Sequence, residues 1–383
     1  MTLFSLSAPK IFDGQTWHEE RALLVEDGRV KSIVRTTDVP SGIAEIDLGH
    51  GMLVPGFVDL QVNGAGGVLF NEDRSVEGLR QLCAANFQFG TTALLPTLVT
   101  DTRAVTRTAL DAGIAAHAQK VPGFIGLHIE GPHLSVARKG AHNPAFIRPM
   151  DEADLRALIA ARPAMPALLT TVAVESVGPD QIARLAQAGV TVSLGHSDTG
   201  IAGAVTAFKA GASMVTHLFN AMSQLGNREP GLVGAALANG VWAGLIADGI
   251  HVDPATIGVA LRAKKGPGKI FLVTDAMSPM GTDMTGFALN GRDIVRADGA
   301  LRLADGTLAG ADLTMIDALS YMHRTIGLDL DEALRMAALY PAQAIGLADT
   351  IGHLGSGAMA SMVHLSDDLG VEGVWVEGEK AFG

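Results

Sequence analysis

The stretch TVSLGHSDTGIAGAVTAFKAGASMVTHLFNAMSQLGNR, residues 191–228, decides how the rest of the chain is read. TVSLGHS (191–197) is a short apolar β-run ending near His196, and SMVTHLFN (213–220) is a second one carrying His217. Between them GIAGAVTAFKAG (200–211) has helical spacing and a glycine stop. Two parallel strands joined by one crossover helix bring both histidines to the C-terminal ends of neighbouring strands. Imidazoles placed that way can share a metal ion.

The same texture extends in both directions. Short apolar runs recur at 56–62, 91–98, 124–130, 168–175, 191–196, 213–219, 242–247 and 270–275, with helical segments between them. Several of those segments stop at a glycine suited to a left-handed cap: Gly90, Gly189, Gly211 and Gly240. Eight such units predict a closed (β/α)8 TIM-like barrel over residues 54–348. No G-x-G-x-x-G loop follows a first strand, which argues against an open dinucleotide-binding sheet. Insertions at 131–150 and 277–311 follow strand ends, where the rim loops of a barrel carry function. Segments 312–327 and 331–346 read as closing helices. The flanks are different: 21–34 turns at Asp27-Gly28 and 373–382 turns at Gly378, both hairpin signals. Neither flank is apolar enough to stand alone. Residues 1–53 and 349–383 are therefore expected to build one small β-sandwich domain together.

Composition narrows the function. Of 383 residues 48% are hydrophobic and 18% charged, which supports a large core and argues against disorder. The net charge is −12, from 28 basic and 40 acidic residues, with no basic run. Nucleic acid and anionic membrane are excluded as expected partners on that ground. An anionic ligand would need a local positive pocket. Cys83 is the only cysteine, so no internal disulfide forms, and a cytoplasmic, reducing compartment is expected. The N-terminus does not read as a signal peptide, and no apolar run approaches the ~20 residues of a membrane span.

The chemistry-bearing residues fall at strand ends. Gln61 and Asn63 end the first, Glu130 the third, Glu175 the fourth, His196 and His217 the fifth and sixth, and Asp275 the eighth; His251 follows the seventh. A carboxylate at the end of an apolar strand is costly unless paired or coordinated. Glu130, His196 and His217 make a three-ligand site for one divalent metal, Zn²⁺ first, with Fe²⁺, Co²⁺ and Mn²⁺ also suited. Asp275 can carry a proton from water to a leaving amine, and His142 can hydrogen-bond an oxyanion. His128 alternates with Glu130 and is expected to fill the barrel interior. Glu175 has two readings, metal ligand or structural ion pair. No G-x-S-x-G is present, and Cys83 falls in a helical run, so neither serine nor cysteine nucleophile is expected.

PGFVDLQVNG, GLHIEGPH, GAHNP, LGHSD, THLFNAM, NREPGLVG, ADGIHVD and LVTDA, in that order, resemble the N-acetylglucosamine-6-phosphate deacetylases of the amidohydrolase superfamily. The resemblance spans roughly 54–346. It implies a metal on Glu130, His196 and His217, Asp275 as proton shuttle, and His142 on the acetamide carbonyl. It implies substrate contacts from Ala141, Asn220, Ala221, Leu308, Ala309 and Gly310, and a phosphate held by His251 and Arg228. It further implies a homodimer in which Arg228 reaches the neighbouring active site. Many superfamily members carry His-x-His on the first strand for a second metal; here Gln61-Val62-Asn63 takes that place, which implies a single metal. The expected reaction is hydrolysis of N-acetyl-D-glucosamine 6-phosphate to D-glucosamine 6-phosphate and acetate. The galactosamine epimer is an alternative substrate, and a non-catalytic sugar-phosphate-binding barrel an alternative class.

Overall fold

The computed structural model describes residues 3–383. Its centre is a parallel sheet of eight strands, β1 Phe57–Val62, β2 Thr91–Val99, β3 Gly126–Glu130, β4 Ala167–Val172, β5 Thr191–Leu194, β6 Met214–Val215, β7 Trp242–Leu245 and β8 Ile270–Leu272. They pair in chain order from β1 to β8. The seam between β8 and β1 closes just past the strand ends. A parallel bridge joins Val62 to Ala276, the Asp275 amide donates to the Gln61 carbonyl at 2.9 Å, and the Asn63 amide donates to the Ala276 carbonyl at 2.8 Å. The sheet is thus a closed barrel of the (β/α)8 kind.

The sequence explains this core. β1, β2, β3 and β4 are buried along their whole length, as strands covered on both faces must be. The helices between them present an apolar face inward, as Val76–Phe87 does with Leu79, Leu82 and Cys83. Cys83 is a buried, free thiol in that helix, and burial raises its pKa. Inside the barrel, polar groups satisfy one another. His128 bonds Thr171 Oγ1 at 2.7 Å and the Leu60 carbonyl at 3.1 Å. Thr216 Oγ1 bonds Thr171 Oγ1 at 2.7 Å and Ser193 Oγ at 2.6 Å. His128 therefore fills the interior, and burial lowers its pKa to about 4, so the ring is neutral. At the seam Thr274 Oγ1 donates to the buried Asp59 carboxylate at 2.5 Å.

Chain punctuation matches the expectation in most places. Gly211 caps Ile201–Ala210 at φ +119°, where a Cβ would lie 2.7 Å from Ala186 Cβ. Gly90 and Gly189 also have positive φ. Gly240 does not act as a left-handed cap: Gly231–Ala238 ends at extended Asn239, and Gly240 instead admits Pro267, whose Cδ lies 2.6 Å from a built Cβ. The expected helix over 331–346 is two helices, Leu330–Ala337 and Leu339–Ala344, broken at Ala338. Pro341 is the cause, since it offers no N–H to the carbonyl four residues back and its ring crowds that carbonyl. No helix among the described residues is long and apolar enough to cross a membrane.

Both flanks meet in one eight-stranded sheet. Its order runs Glu379–Phe382, Val371–Val376, Met362–Leu365, Met52–Pro55, Leu3–Phe12, Trp17–Glu26, Arg29–Arg35, with Ala44–Asp47 also paired to Leu3–Phe12. Asp27-Gly28 turns with φ of +47° and +75°, the conformation a two-residue hairpin needs. The sheet curls until Arg29 bridges Met359, enclosing its own core of Leu6, Ile11, Leu23, Val25, Leu53, Met362 and Trp375. The sandwich is therefore one sheet folded over itself. Met52–Pro55 still belongs to this sheet, and β1 begins the barrel at Phe57.

Thr274→Val keeps the side chain's volume but removes its donor to Asp59. The expected loss is about 1–3 kcal/mol of unfolding free energy, read as a lower urea midpoint at unchanged slope; an unchanged midpoint would show that the seam does not need this bond.

Candidate active site

At the C-terminal mouth of the barrel three ligand atoms converge. Glu130 Oε1 lies 3.1 Å from His217 Nε2 and 3.3 Å from His196 Nε2, and the two imidazole nitrogens are 3.0 Å apart. All three residues are buried. Ligands about 2.05 Å from a tetrahedral ion stand about 3.3 Å from one another, so these separations suit one small cation. His196 Nδ1 donates to the Arg138 carbonyl at 2.8 Å, which leaves Nε2 as the free lone pair facing Glu130. His142 also approaches, with Nε2 3.8 Å from Glu130 Oε2, and Glu130, His142 and His196 each bring a ligand atom within 4.8 Å of the other two. The tighter triad with His217 is the better donor set, because His142 faces the other carboxylate oxygen.

Asp275 faces the same space. Gln61 Nε2 donates to both Glu130 Oε1 and Asp275 Oδ1 at 3.1 Å, and Asn63 Nδ2 donates to Asp275 Oδ1 at 2.6 Å. The two amides thus orient the carboxylates through their NH₂ groups. Burial first, then the Glu130 charge, raises Asp275 to about 6. Burial, then neighbouring His196, holds His142 well below the usual imidazole range, so its ring is neutral. Its Nδ1 lies 2.7 Å from Thr100 Oγ1, and the Thr100 hydroxyl itself donates to the Glu130 carbonyl at 3.2 Å. His142 Nε2 faces Glu130 Oε2 on the cavity wall.

The strands place these groups by stopping early. β5 ends at Leu194, β6 at Val215 and β8 at Leu272, not at 196, 219 and 275 as the apolar runs imply. Beyond those ends the chain turns inward with positive φ at His196 (+48°), His217 (+28°), Phe219 (+79°), Ala221 (+48°) and Asp275 (+52°). Such backbone is rare outside glycine and clusters where side chains must converge.

A cavity of about 490 Å³ opens above the triad. Its wall includes Glu130, His142, His196, His217 and Asp275, and also the expected Ala141, Asn220, Ala221, His251, Leu308 and Gly310. Asp248 holds His251 by a 2.6 Å bond to Nδ1. Two expected residues do not reach the wall. Ala309 is fully buried in an apolar cluster with Leu69, Met277, Leu289 and Leu301, because strand alternation turns it away from Leu308 and Gly310. Arg228 is exposed, and it has no hydrogen-bond or ion-pair partner among the described residues. Glu175 is neither ligand nor ion pair: it accepts Ser197 Oγ and the Asp198 amide at 2.6 Å, bracing the loop after β5.

The 277–311 insertion is a four-stranded antiparallel sheet, Gly286–Leu289, Arg292–Ala297, Ala300–Leu303 and Leu308–Ala311. It hangs over the mouth and is tied to Asp275 by the Ala311 amide at 2.8 Å. A Cβ at Gly310 would sit 2.8 Å from the Asp275 carbonyl, so only glycine allows that approach. The insertion adds Arg302 to the wall, and the loop after β3 adds Arg138, which is paired to Asp198 at 2.7 Å. Thr100 and Arg302 carried no motif of their own. Their only signal in the sequence is position, at the end of a strand and in a rim insertion.

Residues 52–381 match the Amidohydrolase family, and residues 3–53 match the NagA composite domain. The chain belongs to the amidohydrolase family. It is a hydrolase acting on an amide, and this family implies a divalent metal, for which Glu130, His196 and His217 provide donors. The chain is 44% identical over 368 residues to the N-acetylgalactosamine-6-phosphate deacetylase of Shewanella sp. (strain ANA-3), covering 94% of this chain and 91% of that protein. It is 33% identical over 361 residues to the N-acetylglucosamine-6-phosphate deacetylase of Haemophilus influenzae, covering 94% of each. Among solved structures, the N-acetylglucosamine-6-phosphate deacetylase from Pasteurella multocida superimposes with a TM-score of 0.95 at 35% identity, covering 99% of both chains.

Glu130→Gln keeps the shape of the triad and removes its charge. Bound metal after dialysis is expected to fall by about tenfold or more, with far-UV circular dichroism unchanged; full retention of metal would place the ion elsewhere.

Proposed function

We propose that this chain hydrolyses the acetamido group of N-acetyl-D-glucosamine 6-phosphate, releasing D-glucosamine 6-phosphate and acetate. The observation that carries the proposal is Asp275, a buried carboxylate on the same cavity wall as the Glu130–His196–His217 donor set. A divalent ion held there, with Zn²⁺ the first candidate, supplies Lewis acidity at the amide carbonyl and at the attacking water. One ion per chain is proposed, because Gln61 and Asn63 turn their NH₂ groups toward the carboxylates.

The protein's own groups do the rest. Asp275, fixed by Gln61 and Asn63, accepts the water proton as the new C–O bond forms, then delivers it to the nitrogen as the C–N bond breaks. His142, whose Nε2 lines the cavity, is proposed to hydrogen-bond the oxygen as its negative charge grows. Leu308 and Gly310 on one side and Ala141, Asn220 and Ala221 on the other line the space for the sugar. His251 is proposed to meet the phosphate. Arg228 is proposed to reach the phosphate in a partner's site, in a homodimer; its exposure and lack of a partner among the described residues support this. A cytoplasmic location agrees with a single buried cysteine.

A second reading has its own support. The Shewanella relative at 44% identity acts, by its name, on the galactosamine epimer, whereas the Haemophilus relative stands at 33%. Acetate release from both epimers, compared as kcat/KM on metal-replete protein, decides between them. The glucosamine reading predicts the larger value for that epimer; the reverse ratio overturns it, and no acetate from either overturns both.

Asp275→Asn is expected to lose about 10²–10⁴-fold in kcat while retaining metal; near-normal turnover would remove Asp275 from the proton path. Arg228→Ala is expected to raise KM for the phosphorylated sugar by about tenfold or more, with metal content unchanged. Loss of metal in that variant would contradict the phosphate role.

A further inference from the structure

A second group of metal-type donors lies in the terminal sheet, away from the barrel mouth. His50 comes from the turn before Met52–Pro55, His364 from Met362–Leu365 and Glu372 from Val371–Val376. His50 Nε2 lies 2.7 Å and His364 Nδ1 3.5 Å from the same oxygen, Glu372 Oε2. One ligand atom from each residue falls within 4.8 Å of the other two. The rings stand edge to face with centroids 5.2 Å apart.

The protonation pattern makes this group unusual. His364 Nε2 is 2.9 Å from the His50 backbone carbonyl, which can only accept, so Nε2 carries the proton. In the neutral ring Nδ1 is then a lone pair, and it faces a carboxylate oxygen that is also an acceptor. Two acceptors aimed at each other are bridged either by a proton on Nδ1 or by a metal ion. A backbone carbonyl fixing the outer nitrogen of an imidazole is also the usual support of a metal-binding histidine. His364 is the anchored member, its side chain only 7% exposed, whereas those of His50 and Glu372 are 62% and 37% exposed. His50 and Glu372 already meet on the solvent side at 2.7 Å, and that open side leaves room for water around an ion.

We propose that His50, His364 and Glu372 bind a second transition-metal ion of the Zn²⁺ class, which staples the N-terminal turn to the two C-terminal strands. Two imidazoles and one carboxylate are a donor set that Zn²⁺ accepts. The three ligands come from segments more than 300 residues apart in the chain, His50 against His364 and Glu372. An ion there closes the sheet that the two termini share, and its role is structural. The proposal is independent of the catalytic reading.

The test uses full-length protein without a histidine tag, carrying its catalytic metal, equilibrated with buffered Zn²⁺ alone. Bound zinc is counted by metal analysis and the thermal midpoint is followed. The wild type is expected to take up one further equivalent and to melt at higher temperature. His50→Ala and Glu372→Gln, both at exposed positions, are expected to weaken that equivalent about tenfold or more and to abolish the rise in Tm. Acetate release is expected to be unchanged in both. Glu130→Gln is expected to lose the catalytic equivalent and keep this one. The proposal fails if the wild type binds no further equivalent, if both variants bind it as tightly as the wild type, or if it disappears with Glu130→Gln.

Discussion

Glu130 is the group on which the barrel mouth depends. Its carboxylate is buried against two imidazoles and a primary amide, and none of these is a fixed positive charge. An isolated carboxylate in such a place costs several kcal/mol. The arrangement becomes favourable when a cation shares the three ligand atoms. The neighbouring structure serves that end. His196 is oriented by a carbonyl, and Gln61 is shared between two carboxylates. Positive-φ turns at His196, His217 and Asp275 hold strained backbone against the packing of the barrel around them.

The amides on β1 also explain how two acidic groups coexist there. Gln61 donates to both Glu130 and Asp275, so it separates two like charges while holding each in place. A His-x-His pair in the same positions would bring two more metal ligands. Here the space is used to aim Asp275 at the cavity, with the seam pair Asp59–Thr274 holding β1 against β8 beneath it. Stability and reactivity thus meet at one seam.

The insertion after β8 adds a wall to the mouth of the barrel. Its sheet has its own small core, which includes Ala309, so the strand that carries Leu308 and Gly310 to the cavity is anchored from behind. The acidic chain collects positive groups at this wall, with Arg138 and Arg302 contributed by loops and insertions outside the barrel strands. The terminal sheet is joined in a different way, by pairing of segments from both ends of the chain, and its histidine–glutamate group lies where those segments meet.

The periodic part of this protein is written in its amino-acid pattern. Alternating apolar runs and glycine-stopped helices define a (β/α)8 barrel, because a strand buried on both faces can be written only in apolar residues. Glu130, His196, His217 and Asp275 were legible for the same reason, as polar letters breaking such runs. Where those letters point depends on the folded backbone. The strands stop two to four residues before the expected ends, and the intervening turns aim the side chains inward. Thr100 behind His142, the outward turn of Ala309, the bracing role of Glu175 and the meeting of His50 with His364 all depend on contacts between distant segments. Periodicity is a local property of the chain, whereas a contact between distant residues exists only once the barrel and the terminal sheet have closed.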